Sequence, residues 1–212
     1  MQRAGYIIMC VVMVWVSVLE AARPFATDDA GIVESGGYEL ELGGDFWEDE
    51  AMLGLGFKHG LTDRMDIGVG FGYTIYPEQA EGISEAELGL KFALIPDLFA
   101  ASFTGGLGTT AYSLNGIITY AFNSIEIDGN LGYEAIPIQG QEGTVFYCLA
   151  VILGMDKFVI GAEASGNKDG LDTWLAGGRY QIVDGFAVDL GFSGGFEQGA
   201  GNILTAGFHY EF

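Results

Sequence analysis

From Asn202 to Phe212 the chain places Leu204, Ala206, Phe208, Tyr210 and Phe212 at every second position, with Thr205, Gly207, His209 and Glu211 between them. Side chains on a strand point alternately to opposite faces, so this segment has one apolar and one polar face. The same alternation recurs over residues 37–47, 51–59, 65–75, 84–94, 99–107, 115–123, 125–135, 144–155, 157–165, 171–182, 186–196 and 202–212. Segments of about ten residues, alternating and separated by turn residues, are the signature of a transmembrane β-barrel. The pattern predicts an all-β chain: a single antiparallel barrel of about twelve strands, with ten as the alternative count.

Connection lengths orient it. HGLTD, IPD, NS, MD and VDG are short; WEDEA, YPEQAEG, TTAYSL, PIQGQEG, NKDG and EQGAG are longer and polar. Short periplasmic turns and longer external loops are expected of bacterial barrels. Parity then assigns the faces, because a one-residue slip would reverse every side chain. Leu53–Leu55–Phe57, Ile67–Val69–Phe71–Tyr73, Leu88–Leu90–Phe92, Ile118–Tyr120–Phe122 and Val188–Leu190–Phe192 face lipid, all uncharged. The inner face receives Glu39, Lys58, Asp66, Lys91, Arg179, Asp189 and His209, together with glycines such as Gly54, Gly56, Gly177, Gly191 and Gly207. Small inner residues suit a narrow, crowded interior. Tyr73, Tyr120, Tyr133, Trp174 and Tyr210 are candidates for interfacial girdles.

Composition agrees. The chain is 50% hydrophobic with a mean hydropathy of +0.31, yet beyond residue 20 it has no apolar run near the ~18–20 residues of a spanning helix. The one long run, Gly5 to Leu19 after Arg3 and before Ala21 and Ala22, reads as a cleaved signal peptide over 1–22. That leaves a periplasmic amino-terminal segment, 23–36, and a barrel, 37–212. Of two cysteines only Cys148 remains, so no intrachain disulfide forms. A net charge of −21 argues against nucleic acid as a partner.

Candidate chemistry lies inside. Centring turns by length puts Glu39 opposite Lys58, Lys58 opposite Asp66 with Lys91 diagonal, Arg179 opposite Asp189, and Asp189 opposite His209. These read as ion-pair rows bracing the wall. An Asp189–His209 acid–base dyad is the alternative, and it lacks a nearby nucleophile, since Ser193 lies too far up the barrel. No catalytic residue, metal site or cofactor is expected: the chain has two histidines and no zinc-type spacing. Acids without a base gather at the outer mouth, with Asp45, Glu85, Glu134 and Glu163 on the inner face. They would concentrate cations; the alternatives are bridging to lipopolysaccharide through divalent ions, which prefer oxygen ligands, and plain solvated loop charge. A neutral wall of Ser102, Thr104, Thr119, Phe146, Cys148 and Ile152 would carry an uncharged solute, or pack on something inside the barrel such as 23–36.

Residues Arg23-Pro24-Phe25-Ala26-Thr27-Asp28-Asp29-Ala30-Gly31, then Glu34, Gly36, Tyr38, Glu39 and Leu40, resemble the opening of the outer-membrane barrel family named for the meta-pathway of phenol degradation. The matched motif covers 23–42, and the chain is shorter than that family's usual members. The resemblance implies passage or uptake of aromatic or other small organic compounds. Within the chain itself, Thr27-Asp28-Asp29 reads as a side-chain-to-backbone turn capping the periplasmic entrance. The terminal Phe212 resembles the signal that outer-membrane barrels present to their assembly machinery. The expectation is therefore a passive, cation-favouring channel in the outer membrane of a Gram-negative bacterium, in contact with lipid and lipopolysaccharide, its solute unidentified. The alternatives are a structural or adhesion barrel with a blocked lumen and an outer-membrane lipid-modifying enzyme.

Overall fold

The computed structural model describes residues 23–77, 81–84, 86–108, 110–135, 143–197 and 199–212. The expected signal peptide, 1–22, and Glu85 lie outside the described residues. The strands are β1 (Tyr38–Phe46), β2 (Ala51–Thr62), β3 (Met65–Tyr76), β4 (Gly82–Ile83), β5 (Glu87–Ile95), β6 (Phe99–Gly106), β7 (Tyr112–Phe122), β8 (Ile125–Ala135), β9 (Thr144–Met155), β10 (Phe158–Asn167), β11 (Gly170–Val183), β12 (Phe186–Gly195) and β13 (Asn202–Glu211). Each long strand pairs antiparallel with its sequence neighbours, and β1 with β13 closes the ring. The two-residue β4 pairs only with the outer end of β3, in the connection to β5. Twelve long strands therefore make the wall. Among the described residues there is no helix.

The parity read from the sequence holds around the ring. Leu131, Leu190 and Phe122 are 64%, 59% and 62% exposed, whereas inner-face Asp128 and Asp189 are 1% and 5% exposed. Leaving such large apolar side chains in water would cost about 1.5–3 kcal/mol each relative to burying them. An apolar outside around a polar inside is the arrangement of a barrel standing in lipid.

The seam is closed by the last residue. Tyr38 N–H donates to Phe212 O at 2.9 Å and Phe212 N–H to Tyr38 O at 3.0 Å. The two rings stack at 5.5 Å, and Tyr38 also stacks on His59 at 4.4 Å. At the end of the barrel that carries the short connections, Asp97, Asn123 and Asp156 hold φ of 59°, 55° and 48° in tight turns, a conformation Asp and Asn tolerate better than most residues.

Three expectations need correction, and tight turns explain them. The connection at 168–169, expected among the longer ones, is no long loop: β10 and β11 pair up to Asn167–Gly170, and the Asn167 side chain accepts a bond from Asp169 N–H at 2.8 Å. β2 continues to Thr62, so Lys58 faces Gly68 rather than Asp66, and Asp66 sits directly across from Lys91. The connection before β13 is centred one residue earlier than assumed, so Asp189 faces Gly207 and His209 faces Ala187. Glu39–Lys58 and Arg179–Asp189 are opposite one another as read.

Candidate functional site: the occupied lumen

Residues 23–36, assigned to the periplasmic side with packing inside the barrel as the alternative, lie inside the barrel. Their main chain is held by wall groups, mostly side chains, on strands spread around the ring. Next to β1, Gly36 N–H bonds Gly60 O of β2 at 2.8 Å, and Val33 N–H bonds Asp66 Oδ2 of β3 at 3.0 Å. Ala30 N–H bonds Thr119 Oγ1 of β7 at 2.8 Å, and that hydroxyl donates onward to Asp128 at 2.5 Å. Asn130 of β8 pairs with both main-chain groups of Asp28, accepting from N–H and donating to C=O, each at 2.8 Å. Glu163 of β10 accepts from Ala26 N–H at 3.0 Å, Thr27 N–H at 2.9 Å and Thr27 Oγ1 at 2.8 Å. Arg179 of β11 donates to Arg23 O at 2.7 Å. The segment thus makes a circuit of the wall. Buried N–H groups need partners, and here the wall supplies them.

Side chains complete the fit. Arg23 reaches Asp45 at 3.3 Å and Thr205 at 3.0 Å. Lys91 Nζ lies 2.8 Å from Asp28 Oδ1, with the two side chains 12% and 2% exposed. Ala30, Ala100 and Ile117 form a cluster at 0% exposure. Inner-face glycines make room: a Cβ at Gly177 or Gly191 would lie 2.8 or 3.0 Å from Pro24, and one at Gly161 would lie 2.8 Å from Phe25.

The sequence-predicted residues divide accordingly. Of the outer-mouth acids, Asp45 is paired with Arg23 and Glu163 with the segment amides, so neither is unmatched; Glu134 is buried at 5% exposure. Thr119 of the neutral wall binds the segment, and Ser102 and Thr104 line a cavity of about 20 Å³ with Asp28, Lys58, Asp66 and Lys91, room for about one water. Ile152 lies beside the Gly161 seat of Phe25. Phe146 and Cys148 are half-buried on the same inner face. Thr27 and Asp28 sit deep in the lumen, not at the entrance; Asp29 does form the expected turn, accepting from Gly31 N–H at 2.6 Å.

The charged rows form two groups. Lys58 meets Glu39 at 2.8 Å. His209 lies between Glu41 at 3.1 Å and Glu211 at 2.8 Å, so the dyad with Asp189 does not form. Arg179 stands 3.7 Å from both Glu41 and Asp189. Glu39, Glu41 and His209 bring three ligand-type atoms within 4.8 Å, but Lys58 and Arg179 already supply positive charge there.

No family model matches the chain, and no curated protein matches it. Solved structures do match in fold. The KdgM porin aligns over 82% of this chain and 99% of its own, with a TM-score of 0.64 at 10% identity. The NanC porin covers 82% and 98%, with a TM-score of 0.61 at 8%. Omp33, an outer-membrane protein of Acinetobacter baumannii, covers 86% and 100%, with a TM-score of 0.55 at 11%. A KdgM porin structure has also been solved in complex with disordered oligogalacturonate, matching at a TM-score of 0.61 and 12% identity.

Proposed function

We propose that the chain is a passive outer-membrane channel of porin architecture, held shut at rest by residues 23–36. Its place is the outer membrane of a Gram-negative bacterium, among lipid and lipopolysaccharide, with Phe212 offered to the assembly machinery. The observation that carries this reading is the chemistry of the segment's contacts. Apart from Phe25, Pro24 and Ala30, it is held by hydrogen bonds and ion pairs, which water can replace. A net hydrogen bond contributes about 0.5–1.5 kcal/mol between neutral groups and about 1.5–3 kcal/mol to a charged one, and because water can take over each of these contacts a polar plug is removable in a way an apolar core is not.

The wall favours cations or neutral solutes. Inner-face Glu39, Glu41, Asp45, Asp66, Asp128, Glu134, Glu163 and Asp189 outnumber Lys58, Lys91 and Arg179. An anionic chain such as the oligogalacturonate seen with the KdgM porin would be repelled by such a field. The aromatic or small organic solutes implied by the resemblance at 23–42 would pass along β6, β7 and β9 only after the segment withdraws.

The second reading, a structural barrel with a permanently blocked lumen, is favoured by the 0% exposure of Ala30, Ala100 and Ile117. Planar-bilayer recording separates the two. The unaltered full chain should be silent apart from rare openings. Thr27→Pro with Ala30→Pro, which removes wall-bonded N–H groups of the segment, should conduct steadily and prefer cations. A folded double variant that never conducts would establish the blocked barrel.

A further inference from the structure

The wall grips the segment by its main chain, and this points to a ligand class. Glu163 takes the N–H groups of Ala26 and Thr27, Asn130 takes both N–H and C=O of Asp28, Thr119 takes the N–H of Ala30, and Asp66 takes that of Val33. At the far end Arg179 donates to Arg23 O. These wall groups are buried or nearly so: Asp66 is 4% exposed, Thr119 and Asn130 are 6%, and Glu163 is 8%. Glu163 has no cationic partner among the described residues; its contacts are the amides and hydroxyl of the segment. Main-chain contacts of this kind read a peptide without reading most of its side chains. The side-chain demands are few: a cation at the Asp45–Thr205 position, a ring over Gly161, and an acid beside Lys91. By contrast Ala26 is exposed and Asp29 half-buried.

We propose that the lumen is a binding site for short, extended peptides with a cationic end, and that residues 23–36 are its tethered occupant. This rests on the segment being displaceable, as argued above. A tethered occupant competes at a local concentration of order mM, so a free peptide gains entry only when the tether is weakened or the peptide is abundant.

The test uses the full chain in detergent micelles, unaltered and as Thr27→Pro with Ala30→Pro, titrated with a fluorescent synthetic peptide of sequence 23–36. The double variant should bind at least tenfold tighter than the unaltered chain, because its own segment no longer competes. Methylating the amide nitrogen of Thr27 in the peptide should weaken binding at least tenfold, since hydrogen bonds to charged groups each contribute about a decade or more. Changing Ala26 to Ser should alter affinity by less than about threefold. Should the double variant not fold, as judged by circular dichroism and heat-modifiable migration, Thr27→Pro alone takes its place. Equal binding of a reversed-order peptide, indifference to the N-methyl group, or no binding at mM peptide by folded protein would each overturn the proposal. The readout needs no conductance: a folded double variant that binds yet never conducts refutes the channel and leaves the peptide site, whereas one that conducts but does not bind refutes the peptide site alone.

Discussion

Removing the positive charge of Lys91 should release the segment without dismantling the barrel. Lys91 Nζ sits 2.8 Å from Asp28 Oδ1, and Asp28 is 2% exposed with no hydrogen-bond partner for its other oxygen among the described residues. Lys91→Met keeps the length of the side chain and strands that carboxylate. Breaking a buried pair by deleting one partner costs about 3–5 kcal/mol. Lys58, which lines the same cavity, gives partial compensation, so about 2–4 kcal/mol is expected against docking. At 1.4 kcal/mol per decade the fraction of undocked molecules should rise roughly thirty- to several-hundredfold. Ala30→Cys in a Cys148→Ser background reads this directly, because position 30 is at 0% exposure and its thiol reacts with a water-soluble reagent only when the segment leaves. Adding Asp28→Asn to Lys91→Met should bring the labelling rate back to within about tenfold of the parent, since neither half of the pair is then left charged and alone. An unchanged rate in the single variant, or parent labelling as fast as a free thiol, would refute the reasoning.

Two further outcomes follow from the same contacts. A Cβ at Gly60 would strike the main-chain oxygen of Glu34 and come within 2.5 Å of that of Val33, so Gly60→Ala should displace the carboxyl-terminal end of the segment; labelling at position 30 should accelerate while heat-modifiable migration of the barrel stays within a few degrees. Lys58→Ala leaves Glu39 without its 2.8 Å partner and should lower barrel stability by about 2–4 kcal/mol, read as a lower temperature for loss of the compact gel form; no shift would mean that the pair is dispensable.

How far the sequence carried the account depended on which force set each feature. β8 and β9 lie at 125–135 and 144–155, as the alternation placed them, because lipid outside and polar groups inside repeat every two residues. Register was less legible. It depends on where a turn is centred, and the tight end of β2 and the connection before β13 moved it. The occupant of the lumen was legible only as one of two readings of the neutral wall. Residues 23–36 have no period, and their role is carried by main-chain N–H groups, which every non-proline residue has. The signal lay on the wall: Glu163 and Asp45 stood as inner acids without a base, and the inner glycines Gly177 and Gly191 left hollows, to which the structure adds Gly161 on the next strand. Each acid is where the segment donates, and each hollow is where Phe25 or Pro24 sits. In this barrel the inner acids without a wall base, beside inner glycines, marked where a chain is received.

The central claim, that residues 23–36 close the barrel from within, is tested most directly by amide hydrogen exchange on the unaltered full chain in bilayers or detergent. The amides of Ala26, Thr27, Asp28, Ala30 and Val33, each bonded to a wall side chain, should exchange far more slowly than in a free peptide of the same sequence. Exchange of all five at the free-peptide rate, in a barrel whose strand amides stay protected, would contradict the account.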